Sequence, residues 1–149
     1  MSLTETITAD IATAMKAKDA ARLTPLRMLK TALTTRSIEK GRALDAAEDL
    51  QVVAALVKQR RDSIEQFVAA GRHELAAKEQ AEIAVLETYQ PPAASDEEIA
   101  AAVADAVTST GATSAKDMGK VMKAVMAALA GKTVDGRRVN ELVRARLVP

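Results

Sequence analysis

VAALVKQRRDSIEQFVAAGRHELAAKEQAEIAVLETY, running from Val53 to Tyr89, decides the fold. It carries two amphipathic helical patterns that meet at Gly71. In the first, Leu50, Val53, Val57, Ile64 and Val68 recur at helical spacing and predict one apolar stripe. Arg61 falls within that stripe. At about 100° per residue it lies close to Leu50, Val57 and Val68, whereas Lys58, Gln59 and Asp62 point elsewhere. A buried guanidinium is costly without a carboxylate beside it. The second pattern offers two, because Leu75, Leu86 and Tyr89 define its apolar side and Glu79 and Glu82 share it. A reversal at Gly71 makes the helices antiparallel, so that facing residue numbers sum to about 143 and Arg61 faces Glu82, or Glu79 after a slip of one turn. Two arrangements fit this count: a structural ion pair in the seam, and a solvated pair on a wide helical face.

With 149 residues the chain can bury a real core, and its balance of 48% hydrophobic and 28% charged residues is that of a globular protein. Phe67 and Tyr89 are the only aromatics, so the core must come from Leu, Val, Ile, Met and Ala, which favours close-packed helices over sheets. Without cysteine there is no disulfide, thiolate chemistry or zinc cluster. The single histidine, His73, cannot make a metal site alone and reads as a surface residue beside a turn. No metal and no cofactor are expected. No apolar stretch reaches transmembrane length, and Met1-Ser2-Leu3-Thr4-Glu5 lacks the basic start and apolar run of a signal peptide. The expectation is a cytoplasmic protein without a membrane partner. A net charge of +1 conceals two basic regions. From Lys16 to Arg42 eight basic residues meet two acidic ones, and from Lys116 to the end eight meet three. Such regions attract a polyanion or are simply solvated.

Three capping-box spacings, Ser2/Glu5, Asp45/Glu48 and Ser95/Glu98, predict helix starts. The first helix, with Ile7, Ile11, Ala14 and Met15 on its apolar face, reads as short and peripheral. The second buries Leu23, Leu26, Leu29 and Leu33 and shows Arg27, Lys30, Thr31 and Thr34 to solvent; Pro25 belongs in its first turn, with Asp19 or Thr24 as cap. The fourth runs from about His73 to Tyr89. Pro91-Pro92 stops it, and Pro91-Pro92-Ala93-Ala94-Ser95 reads as a linker. The expected fold is all-α, with an N-terminal four-helix domain over residues 1–92 and a C-terminal three-helix bundle over residues 93–149.

In that bundle Ile99, Val103, Ala106 and Val107 carry a helix to Gly111. The next helix, capped by Thr113 or Ser114, turns Met118, Val121, Met122, Val125, Met126 and Leu129 inward and Lys116, Gly119, Lys120 and Lys123 outward. Asp135-Gly136 opens the last helix, with Val139, Leu142, Val143 and Leu147 inside and Arg137, Arg138, Arg144 and Arg146 outside. A mid-helix Gly119 costs about 1 kcal/mol against alanine. Its compensation is close helix packing, the commoner use, or the approach of a ligand or RNA backbone between the lysines. Met118, Met122 and Met126 fill the core or form an adaptable binding surface.

The motifs Arg27-Met28-Leu29-Lys30, Lys58-Gln59-Arg60-Arg61-Asp62-Ser63-Ile64 with Phe67 and Ala70-Gly71-Arg72, Leu86-Glu87-Thr88-Tyr89-Gln90-Pro91, and Lys116-Asp117-Met118-Gly119-Lys120-Val121-Met122 with Asp135-Gly136 and Asn140-Glu141-Leu142-Val143 closely resemble the GatB/YqeY-domain family. The chain resembles a stand-alone YqeY-type protein over nearly its whole length. The resemblance implies an all-α protein of two helical subdomains, similar to the C-terminal tail of the B subunit of the tRNA-dependent amidotransferase. There the tail contacts tRNA while amide transfer happens elsewhere. Two departures stand out. Pro91-Pro92 replaces a proline followed by a longer polar side chain, and Lys123 occupies a position often held by a small residue.

The enzyme reading has little to stand on. One histidine beside a turn cannot assemble a Ser/His/Asp arrangement, and no glycine-rich phosphate loop is present. The family label of carbon-nitrogen ligase with glutamine as amido-N-donor is therefore read as belonging to the large enzyme with the similar tail, and no catalytic residue is assigned. The expected function is a non-catalytic binding module for tRNA or other structured RNA, with Lys116, Gly119, Lys120 and Lys123 as contacts and Arg137 and Arg138 nearby. With two aromatics there is no stacking platform for bases, so phosphates and shape would carry recognition. The alternative is a protein-interaction adaptor for an aminoacyl-tRNA amidotransferase or another partner enzyme.

Overall fold

Helix starts in this protein are written into its local chain. In the computed structural model, which describes residues 2–147, all three expected capping boxes form. Ser2, Asp45 and Ser95 each accept the backbone N–H three residues on, and Glu5, Glu48 and Glu98 reach back to the cap. Asp19 caps the remaining long helix by accepting the Arg22 N–H. The described residues form seven α-helices and one 3-10 turn, with no strand beyond an isolated bridge. The fold is all-α, as expected.

Two compact units divide the chain, one ending at Gln90 and the other starting at Pro91. The first holds α1 (Leu3–Lys16), α2 (Ala20–Lys40), α3 (Ala46–Ala69) and α4 (His73–Glu87). Its core joins Ile7, Ala14, Leu26, Leu29, Leu33, Val53, Val57, Ile83 and Leu86. α2 packs on α1, α3 and α4, and α3 packs on α4. α1 is not the peripheral helix expected: Ile7 and Ala14 are buried in the common core. Pro25 also lies deeper than expected, in the second turn, because the helix starts at Ala20. Gly71, at φ 74°, takes the left-handed conformation that lets the chain leave α3 and enter α4 within three residues.

The seam between α3 and α4 contains a buried ion pair, but its cation is Arg60 and not Arg61. Arg60, 4% exposed, donates from Nε to Glu82 Oε2 at 3.0 Å, and Glu79 lies 3.8 Å from the same nitrogen. Its Nη2 donates to the Met28 sulfur at 3.0 Å and its Nη1 to the Leu56 carbonyl at 3.3 Å. Arg61 is 52% exposed and pairs with Glu87 at 3.2 Å. The reason is angular. Measured from fully buried Val53, Val57, Arg60 and Ile64 fall within about 40°, whereas Arg61 lies about 80° away. Val68, about 60° off on the same flank, is 49% exposed. Counting Leu50 and Val68 as central moved the expected stripe one residue too far.

A second polar contact closes this unit. Tyr89 donates its hydroxyl to Asp10 Oδ2 at 2.6 Å, joining the end of α4 to α1. Burial first, and Asp10 second, push the phenol up to about 12.

Removing the Arg60 side chain leaves Glu82 buried without its partner. Arg60→Ala is expected to destabilise the protein by about 3 to 5 kcal/mol, and Arg61→Ala by at most about 1 kcal/mol. Denaturant titration of both variants checks this; equal losses would place the pair at the surface after all.

The folded protein holds the Tyr89 proton from its ordinary value of 10.0 up to about 12. That contribution to stability is complete below about pH 10 and disappears as pH rises through about 12. Tyr89 is the sole tyrosine, so phenolate absorbance reports it alone. Tyr89→Phe should flatten the stability profile across this window, and a wild-type phenol ionising at its ordinary value would contradict the shift.

Candidate nucleic-acid interface

The second unit is built from valines. Val121, Val125, Val139 and Val143 are fully buried and pack with Ile99, Ala102, Val103, Ala106, Leu129 and Leu147. They belong to α5 (Asp96–Thr110), α6 (Met118–Ala128), α7 (Gly136–Arg146) and the turns that close α6 and α7. A 3-10 turn, Ala115–Asp117, leads into α6. Ser114 starts it by accepting the Lys116 N–H, while Asp117 accepts the Thr113 N–H at 3.1 Å. The Asp117 carboxylate is thus occupied by the preceding loop.

Burying Val121 and Val125 turns Lys120 and Lys123 outward, with Lys116 one turn earlier, and all three are exposed. None of them makes an ion pair among the described residues. Gly119 is exposed between them, and a methyl group added there would meet no atom within 4 Å. Close helix packing therefore does not explain this glycine, contrary to its commoner use. It is also the second residue of α6 rather than a mid-helix residue, so its cost to helix stability is smaller than expected. Met126, expected inward, is 44% exposed on the flank next to Gly119.

The arginines differ from the lysines. Arg138 lies 3.4 Å from both Asp96 and Glu141, so a phosphate must compete with two carboxylates for it. Arg137 is exposed, and its backbone N–H is held by the Asp135 side chain that caps α7. Lys132 pairs with Glu98, whose carboxyl is held below its ordinary value chiefly by that hydrogen bond. The acidic first turn of α5 thus neutralises cations of the α6–α7 side and leaves those of α6. Among the described residues no group of three His, Cys, Asp or Glu could hold a metal, and no helix is long and apolar enough to cross a membrane.

The loop before α7 is fixed by a strap that sequence reading took for a linker. Thr133 donates its hydroxyl to the Pro91 carbonyl at 2.7 Å and its N–H to the Pro92 carbonyl at 3.0 Å, and its own carbonyl accepts the Ala94 N–H at 2.9 Å. Prolines lack the N–H but keep the carbonyl, so Pro91-Pro92 ends a helix and still serves as an acceptor strand. Nothing local to residues 91–95 signals the partner 42 residues away.

The family described as Yqey-like protein matches residues 4–147. The chain belongs to the Yqey-like family. It is similar to the protein named "Altered inheritance of mitochondria protein 41, mitochondrial" of Kluyveromyces lactis, 40% identical over 102 residues, which cover 66% of this chain and 55% of the relative. The protein of the same name from Lachancea thermotolerans is 36% identical over 102 residues, 66% of this chain and 54% of the relative. That of Saccharomyces cerevisiae is 36% identical over 93 residues, 60% and 50%. The chain spans about half the length of the curated relatives it matches. These relatives are named as mitochondrial proteins, which overturns the expectation of a cytoplasmic protein. Cellular addresses are read by receptors from targeting segments, so the helical patterns of a folded domain carry no trace of them.

Thr133→Val removes the hydroxyl that meets the Pro91 carbonyl and is expected to cost about 1 kcal/mol. With a nonspecific protease the first wild-type cut is expected between Thr88 and Gln90, ahead of the strap. In Thr133→Val it should spread to Ala93 and Ala94; an unchanged pattern would mean that the strap does not hold the segment.

Proposed function

We propose that this member of the Yqey-like family is a non-catalytic module that binds structured RNA, tRNA above all, through the outer face of α6. The observation that carries the reading is the set Lys116, Lys120 and Lys123: exposed cations without carboxylate partners, on either side of a glycine that presents bare backbone. A phosphate backbone can approach Gly119 more closely than any larger residue would permit. The positive end of α6 lies at Met118, where the Asp117 carboxylate offsets part of its field. Contacts of this kind position RNA without reading its bases. Arg137 and Arg138 stand as secondary contacts, and a phosphate must compete with Asp96 and Glu141 for Arg138. The relatives carry mitochondrial names, which supports a mitochondrial setting for this activity.

The adaptor reading draws on a different observation. Met15, Met28, Ile38 and Val68 are large apolar side chains exposed on the first unit. Singly exposed apolar residues are ordinary, and only a contiguous patch would mark a protein partner.

Titration of purified tRNA against wild type and the Lys116→Ala/Lys120→Ala/Lys123→Ala variant at several salt concentrations tests the RNA reading. Three lost phosphate contacts should reduce the slope of log K against log salt by about 2 to 3 units and weaken binding at low salt. Equal affinities and equal slopes would remove this face from the binding site. Cross-linking in native extract, with the attached peptides mapped, separates the readings: RNA joined to α6 favours the first, a partner protein joined near Met28 or Ile38 the second.

A further inference from the structure

In the first unit a cleft of about 300 Å³ opens where α1, α2 and α3 begin or end, lined by Leu33, Thr34, Ser37 and Ile38 of α2 and by Asp49 of α3, among others. Asp49 is 9% exposed, one of three buried charged residues among those described. Its position is set by the same stripe as Arg60, four residues before fully buried Val53. Unlike Arg60, it has no ion-pair partner among the described residues. Lys40 and Arg42 are both held by the adjacent residue Glu48, at 3.3 and 2.7 Å. The Leu3 N–H, at the first residue of α1, is the hydrogen bond that favours the ionised form of Asp49. One N–H engages only part of a carboxylate that can accept about four hydrogen bonds. Burial outweighs it and, with Asp45 and Glu48 nearby, raises the carboxyl above its ordinary value.

The helix starts contribute positive partial charge at this end of the unit, each about half a unit. Glu5, Asp45 and Glu48 are already engaged with those same starts, so a deficit of positive charge remains beside Asp49. The hydroxyls of the wall differ in freedom. Ser2 is committed to its capping box and Ser37 donates to the Arg42 carbonyl at 2.7 Å. Thr4 and Thr34 make no other side-chain hydrogen bond among the described residues. Leu33, Leu44, Ala43 and Ile38 supply the apolar part of the wall, and Ile38, 74% exposed, stands open to solvent. A buried carboxylate without a cation, two free acceptor oxygens and an apolar wall describe a site for a small cation carrying a short hydrocarbon tail.

We propose that this cleft binds a primary ammonium group on a short alkyl chain, with Asp49 as its counter-charge, the Thr4 and Thr34 hydroxyls as acceptors and Leu33 and Leu44 against the tail. The volume sits at the lower end of ligand pockets and suits a chain of a few carbons. The same head group occurs on free amines and on lysine side chains, and only the mouth of the cleft can discriminate between them.

The test is an amide-resolved NMR titration of the full chain with n-butylammonium, with n-butanol as the neutral isostere and Nα-acetyl-lysine amide as the stand-in for a protein side chain. Saturable shifts at Leu3, Thr4, Ser37 and Asp49 are expected with n-butylammonium and not with n-butanol. The lysine derivative should bind as well if the mouth admits a peptide body and at least about tenfold more weakly if the site is meant for a free amine. Asp49→Asn should weaken binding at least about tenfold. Because Asp49 also supports the start of α1, Thr34→Leu is the second variant: it puts a larger apolar side chain in the wall, leaves the cap intact and should likewise weaken binding at least about tenfold. Equal shifts with n-butanol, undiminished binding in both variants, or no saturable shift with either amine would overturn the proposal.

Discussion

Arg60 is the side chain on which the first unit turns. Its guanidinium leaves water almost completely, a step that costs several kcal/mol unless each of its donors finds a partner. The fork solves this by pointing three ways at once: to Glu82 on α4, to the Met28 sulfur on α2 and to the Leu56 carbonyl one turn back in α3. No buried side-chain nitrogen or oxygen among the described residues is left without a partner. One residue thereby sets the register of α3 against α4 and the approach of α2 to both. An apolar residue could fill the space but would accept many registers, whereas the guanidinium accepts those that bring Glu82 and Met28 to its donors.

The second unit follows a different rule. Among its described residues no charge is buried, and its core is valines and alanines with Ile99, Leu129 and Leu147, packed across three short helices. Charge is sorted on its surface instead. The acidic first turn of α5, favourable to that helix through its dipole, also takes Lys132 and Arg138 as partners. Lys116, Lys120 and Lys123 have no such partners among the described residues. Lys116, Lys120 and Lys123 therefore remain exposed cations, as do Arg144 and Arg146 of α7, because the three acidic residues that start α5 face other partners. Had those acids faced α6, the same net charge would give no basic face.

The family match covers residues 4–147, and the motifs within it serve unlike purposes. Lys58 to Ile64 contains the seam arginine, and Leu86 to Pro91 contains Glu87, which pairs with Arg61, and Tyr89, which bonds Asp10. These residues hold the fold. In Lys116 to Met122, by contrast, Lys116 and Lys120 are exposed and make no ion pair among the described residues. A match of fold-holding residues supports the architecture more strongly than any activity, because sites are grafted on folds that persist without them.

What the sequence by itself determined is what neighbours along the chain decide. Capping boxes at Ser2, Asp45 and Ser95, the stops at Gly41, Gly71 and Gly111, and the all-α class were legible because each depends on residues within a few positions of one another. The outward face with Lys116, Lys120 and Lys123 was legible for the same reason, since helical periodicity alone places it opposite Val121 and Val125. Only the tertiary structure decided which of two adjacent arginines enters the seam, because a helical stripe is broad and its centre is chosen by the helix that packs on it. Only the structure showed that Gly119 faces open space, that Met126 is half outside and that Thr133 draws in Pro91 and Pro92. Each of those outcomes depends on groups far apart in the chain, whose approach is settled by packing and not by local preference.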